Sequence, residues 1–156
     1  MNVEACSEDE PSEHVRFAVH LQALAQVTVT EEPDLVSTVL TDPDQTMAQS
    51  AVARHLDRRA AGLCPDHAYE PWARSMAEVI ARHPFLVQRL HEWSLFRAIS
   101  LAQPWTPSAL TDASDWLQRK IADDLDAPDA LALLAEHGRT KRIRNTAKAG
   151  ITRRPG

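Results

Sequence analysis

Residues 84–103 read PFLVQRLHEWSLFRAISLAQ, and this stretch decides the fold class. Phe85, Leu86, Val87, Leu90, Trp93, Leu95, Phe96, Ala98, Ile99, Leu101 and Ala102 leave only Arg89, Glu92 and Arg97 charged. The apolar surface therefore extends beyond one stripe, as in a helix that needs neighbours on several sides. Pro84 suits a first helical position and Pro104 suits a stop. The spacing predicts a central helix between the two prolines.

Working outward, helical spacing recurs on both sides. Ser12-Glu13 opens a helix carrying Val15, Phe17, Val19, Leu21 and Leu24, while Val27-Thr28-Val29-Thr30, with no second strand to pair with, is a linker. Leu35, Val36, Val39 and Leu40 form a short helix that ends at Asp42-Pro43-Asp44. The next buried line runs Met47, Ala51, Val52, Leu56, Ala60 and Leu63, with Arg54, Asp57, Arg58 and Arg59 expected in water. Asp66 restarts the chain, and Trp72, Met76, Val79, Ile80 and His83 make a helical stripe. Beyond the centre, Thr106-Pro107 opens a helix expected to carry Leu110, Ala113, Trp116, Leu117, Ile121 and Leu125 on one face. Pro128 to Gly138 and about Thr140 to Ala149 complete the count. The expectation is an all-α chain of about eight helices in stacked antiparallel pairs, a short α-solenoid or irregular bundle, with no credible strand.

The chain has 156 residues, enough for one domain with a sizeable core. Expected boundaries are a disordered acidic leader over 1–11, a single all-α domain over 12–150 and a flexible basic tail over 151–156. Cys6 and Cys64 are too few for a disulfide framework, no apolar run has the length of a membrane span, and the acidic leader lacks the positive charge of a signal peptide. The expected location is the cytoplasm.

The net charge of −5 conceals an asymmetry. Residues 137–156 hold Arg139, Lys141, Arg142, Arg144, Lys148, Arg153 and Arg154 and no acid, so this end carries +7 and the rest −12. On a helix Lys141, Arg144 and Lys148 share a face, with Arg142 alongside and Arg139 at the start. Such a row suits an acidic protein, DNA or RNA; equally, cations near a helix C-terminus simply suit its dipole. The split also raises a homodimer in which one chain's basic end meets another's acidic body. A solvated last helix with its tail is the slightly favoured reading, because residues 137–156 contain no base-stacking aromatic and a basic patch alone is unspecific.

Other residue clusters read as structure. Cys64-x-x-His67 with nearby His55 offers half a zinc site and no second pair at ligand spacing, so no metal or cofactor is expected. His83 and His91 are expected to be packed. Asp115, Asp123, Asp124, Asp126 and Asp129 gather around one turn, where caps and solubility account for them. Trp105, between Pro104 and Pro107, either closes the core or stands out as a contact; closure is favoured. No nucleophile elbow, phosphate loop or dinucleotide fingerprint is present.

Residues 35–56 (LVSTVLTDPDQTMAQSAVARHL) and 131–152 (LALLAEHGRTKRIRNTAKAGIT) share a layout: a Leu-rich helix, a tight polar turn, then Met47 or Ile143 followed four positions later by Ala51 or Ala147. This layout is similar to the HEAT repeat, in which an aspartate-proline turn joins two helices and a valine-arginine pair opens the second. Asp42-Pro43 matches the turn and Ile143-Arg144 resembles the pair, whereas Ala48 stands at the arginine position of the first repeat and His137-Gly138 replaces aspartate-proline in the second. The resemblance implies a short curved solenoid that holds a partner, protein or nucleic acid; a few HEAT-like proteins instead act on DNA bases. The combined expectation is a non-catalytic binding or adaptor module. Its contact set is Arg139, Lys141, Arg142, Arg144 and Lys148, and its partner is an unidentified acidic protein. The alternatives are nucleic-acid binding by the same end and a small helical enzyme using a carboxylate beside a tryptophan.

Overall fold

Proline and capping side chains start most of the helices. The structure, a computed structural model, describes residues 12–153, so the expected leader over 1–11 and the last three residues lie outside the described residues. Among the described residues nine helices and no strand are present. The all-α class is as expected. No helix among these residues is long and apolar enough to cross a membrane.

The described residues form two compact units, one up to Leu90 and one from His91 onward. In the first, α1 (Glu13–Gln26) is capped by Ser12, α2 (Glu32–Val39) has Pro33 in its first turn, and α3 (Gln45–Leu63) is capped by Asp44, which accepts from Met47 N at 3.0 Å. Next come α4 (Tyr69–Val79) and α5 (Pro84–Ser100), whose first turns belong to this unit. Helix α1 packs on α3 and α2 on α4. Val36, Ala51, Val52, Leu56, Met76 and Ile80 are fully buried. Residues 28–31 form a turn, with Thr28 O and Oγ1 both accepting from Glu31 N.

Of the α3 charges that the sequence assigns to water, Arg54 and Arg58 are exposed and Asp57 and Arg59 half-buried, and they also act as tie points. Asp57 accepts a two-pronged bond from Arg89 of α5, at 2.8 and 2.7 Å, and Arg58 donates to Leu24 O of α1 at 3.1 Å. Arg54 lies 5.6 Å from the centre of the Phe17 ring. Long charged stems cover apolar surface while their heads find partners on the adjoining helix.

The second unit contains the remainder of α5, α6 (Pro107–Thr111), α7 (Asp115–Asp124), α8 (Pro128–His137) and α9 (Lys141–Arg153). The sequence predicts one helix from Pro107 to Leu125; the structure breaks it at residues 112–114. Ser114 donates its N–H and hydroxyl to Glu92, at 2.8 and 2.7 Å, and its Oγ accepts from Leu117 N to start α7. A buried carboxylate thereby takes the place of the missing helical bonds. Glu92 and Arg97, the expected polar relief of α5, are both buried, whereas Phe85, Leu101 and His91 are exposed. Trp93 meets Phe96 and Trp116 edge-on, at 5.4 and 5.7 Å between ring centres, and Lys120 of α7 sits 5.2 Å from the Trp93 ring.

Helix α5 closes in a two-bond terminal turn, with Gln103 N donating to Ala98 O at 2.8 Å and Ala102 N to Ile99 O at 3.3 Å. Ala102 occupies the left-handed position with φ 55°, where glycine is usual. Ala102→Gly is therefore expected to stabilise the chain by about 1 kcal/mol, read as a higher urea midpoint at unchanged slope.

Gly150 and the residues after it were expected to fray, yet α9 continues to Arg153. Ile143, Ala147 and Gly150 are buried along one side, and a Cβ placed on Gly150 would stand 3.4 Å from Leu131 Cδ1. That side of α9 is a close-approach face, with Ile151 outside it and exposed.

The two stretches of similar layout, 35–56 and 131–152, both fold as helix–turn–helix. Asp44 and Thr140 cap their second helices at equivalent places, accepting from Met47 N and Ile143 N, and Ala51 and Ala147 are both fully buried. Their first helices differ: α2 buries Val36 and Val39, while α8 buries Leu131 and Leu134, a different phase relative to the turn.

Candidate partner-binding surface

The basic helix α9 is fixed from beneath by α7 and α8. Gln118 of α7, with no exposed surface, donates to the carbonyls of Leu110 and Thr111, at 2.8 and 3.2 Å, and accepts from Arg139 N at 2.9 Å. One amide thus satisfies the end of α6 and fixes the turn that launches α9. Gly138 completes the turn; its carbonyl accepts from Arg144 Nη1 at 2.8 Å.

The five expected contact residues separate into two groups. Arg139 is exposed but pairs with Asp115 at 2.9 Å, and Arg144 is half-buried with its guanidinium on Gly138. Neither is a free cation of the expected row. Lys141, Arg142 and Lys148 are exposed and pair with no described residue. Lys141 and Lys148 stand two helical turns apart on the side opposite Ile143 and Ala147, with Arg142 at the flank. The row has three open cations.

Acids border it. Asp123, Asp124 and Asp126 line a cleft of about 590 Å³ with Arg153 and Gly150 of α9, and Asp124 also accepts from Lys120 at 2.9 Å. The Arg153 end of α9 therefore carries both signs of charge.

A second polar assembly lies in the first unit. Glu32 is only 1% exposed and accepts four bonds: from His55 Nε2 at 2.6 Å, Arg59 Nε at 3.0 Å, Arg59 Nη2 at 3.1 Å and Trp72 Nε1 at 3.0 Å. Arg58 Nη2 lies 3.2 Å from His55 Nδ1, and because a guanidinium only donates, the bonding pattern assigns His55 a neutral ring with its proton on Nε2. Burial pushes the Glu32 carboxyl up, but the bonds from His55, Arg59 and Trp72, with the Arg59 charge, outweigh it and hold the pKa at about 2 against an ordinary 4.5. This is the carboxylate beside a tryptophan that an enzyme would require. Held so low, it has no proton to give near neutral pH, and its lone pairs are already engaged. Its geometry joins α2, α3 and α4.

Asp42, the turn residue of the first repeat-like hairpin, is likewise clasped. The bond from His20 Nε2 at 3.0 Å, then that from Asp44 N at 2.9 Å, then Arg16 at 3.1 Å hold its carboxyl at about 2, against the effect of burial. These bonds fasten α1 to the α2–α3 turn.

Cys64, His67 and His55, the residues weighed as half a zinc site, do not form a ligand group. Cys64 is buried, His67 is exposed, and both ring nitrogens of His55 face Glu32 and Arg58. No group of three or more metal-ligating side chains is found among the described residues. Trp105 is half-buried and lines a pocket of about 350 Å³ with Ile99, Leu125 and Asp126. Compared with known proteins, the chain matches no protein family, no curated protein and no solved structure.

Proposed function

We propose that the chain is a non-catalytic cytoplasmic binding module that holds an acidic protein partner against the outward side of α9. The observation that carries this reading is the placement of Lys141, Arg142 and Lys148. They are exposed and without described partners, on a helix whose opposite side is locked to its own unit. Rigid presentation lowers the ordering cost of a charged contact. The carboxylates of Asp123, Asp124 and Asp126 favour a protein over nucleic acid, because a phosphate chain continuing along α9 meets like charge at the Arg153 end. A folded partner with its own cations accommodates both signs.

The test is fluorescence anisotropy of a labelled Asp/Glu-rich peptide, duplex DNA, single-stranded DNA and RNA across a salt series. The peptide is expected to bind tightest, and the double variant Lys141→Glu with Lys148→Glu to weaken it at least about tenfold with unchanged helicity. Tighter binding of any nucleic acid, with a salt slope of about −3 for three released counterions, transfers the surface to phosphate recognition.

A further inference from the structure

The first unit has a pocket that the α9 surface does not use. It occupies about 310 Å³, within the lower range of small-molecule sites, and its walls include Leu63, Pro71 and Trp72. Only Glu32, Arg59 and Ser75 among the lining residues are polar. Arg59 gives its Nε–Nη2 edge to Glu32, and its side chain remains 23% exposed. Nη1 bonds to no described residue, so the Nη1–Nη2 edge of the guanidinium is open. The guanidinium carbon lies 5.8 Å from the centre of the Trp72 ring.

The open edge sets the chemistry of the ligand. Among the lining residues Arg59 is the one cation and Glu32 the one anion; the carboxylate is engaged by its four bonds, whereas the guanidinium keeps two N–H groups for an acceptor. We propose that this pocket binds a small carboxylic acid with an aromatic or branched apolar body. The carboxylate takes the open edge of Arg59, the bidentate geometry in which arginine excels, while the apolar body lies against Trp72 and Leu63. Glu32 acts as a positioning residue: it fixes the guanidinium plane and is itself held ionised by His55 and Trp72. The inference is independent of the reading of α9.

The experiment uses the full chain and three probes of matched shape, phenylacetate, phenylacetamide and phenethylamine, titrated while the Trp72 indole N–H resonance is followed by NMR. Phenylacetate is expected to bind saturably and at least about tenfold tighter than the amide or the amine, because only it forms charge-assisted bonds to a guanidinium. Arg59→Lys is expected to weaken it, but that variant also loosens Glu32. Val29 supplies the cleaner change, since it lines the pocket and is 73% exposed, outside the core. Val29→Asp places an anion at the rim and is expected to weaken phenylacetate at least about fivefold while leaving the urea midpoint in place. Equal binding of acid and amide, no saturation below about 10 mM, or an unaffected Val29→Asp variant would each overturn the proposal.

Discussion

Replacing Glu32 with alanine is expected to lower the unfolding free energy by about 3–5 kcal/mol, the scale for breaking a buried pair and leaving its cation uncompensated. The reason is the number of groups that lose their partner together. His55, Arg59 and Trp72 donate to the same carboxylate from two different helices, and Glu32 brings a third. Glu32→Gln keeps the shape but turns an amide N–H₂ towards these donors, and is expected to cost more than half as much. Urea denaturation followed by far-ultraviolet circular dichroism checks both variants. The pH dependence has a fixed sign. A carboxyl at about 2 in the folded chain and 4.5 when free binds fewer protons folded than unfolded. Its stabilisation is complete above the free value and lost as pH falls from about 5 towards 2, amounting to about 3 kcal/mol. Asp42, also held at about 2, loses its contribution in the same direction. Glu32→Gln is therefore expected to flatten the acid limb of the stability curve. A limb unchanged from that of the unsubstituted chain would contradict the assignment.

The second large effect is expected at Gly138. Its φ of −54° is open to any residue, so the constraint is space. An added Cβ would meet Leu134 O at 2.6 Å, Ile143 Cγ2 at 2.8 Å and Arg144 Cγ at 3.1 Å. The first neighbour is backbone, and the second belongs to a fully buried side chain. Gly138→Ala is expected to destabilise the second unit by about 2–3 kcal/mol, through forced separation of α8 from α9. The loss is expected to appear in hydrogen exchange as weakened protection along α9. Gly62 is the control: nothing beyond its own helical backbone stands within 4 Å of an added Cβ, and its place inside α3 makes Gly62→Ala neutral or stabilising by about 1 kcal/mol.

Much of the helical order was legible because local chemistry determines it. Ser12, Asp44 and Thr106 cap the helices they precede, and Pro84, Pro107 and Pro128 open the helices assigned to them. The line Met47, Ala51, Val52, Leu56 and Ala60 is buried as its spacing requires. The break at Ser114 was hidden because Ala113, Trp116 and Leu117 keep apolar spacing across it, while the group that stabilises the break, Glu92, lies 22 residues away. Glu32 was hidden for the same reason. In sequence, Glu31-Glu32-Pro33 reads as acids at a helix start, and its partners are 23, 27 and 40 residues distant. The candidate contact set was legible as composition and only partly as geometry. Helical spacing places Lys141 and Lys148 on one side, but the diversion of Arg139 to Asp115 and of Arg144 to Gly138 depends on how α7 and α8 pack beneath α9.

The cation row on α9 is tested most directly by following the backbone amide resonances of the full chain while an Asp/Glu-rich peptide is added at low salt. The account predicts shifts concentrated at Lys141, Arg142, Asn145, Lys148 and Thr152, reversed by added salt and absent in the Lys141→Glu, Lys148→Glu variant. Shifts that leave α9 unmoved, or that persist in that variant, would contradict it.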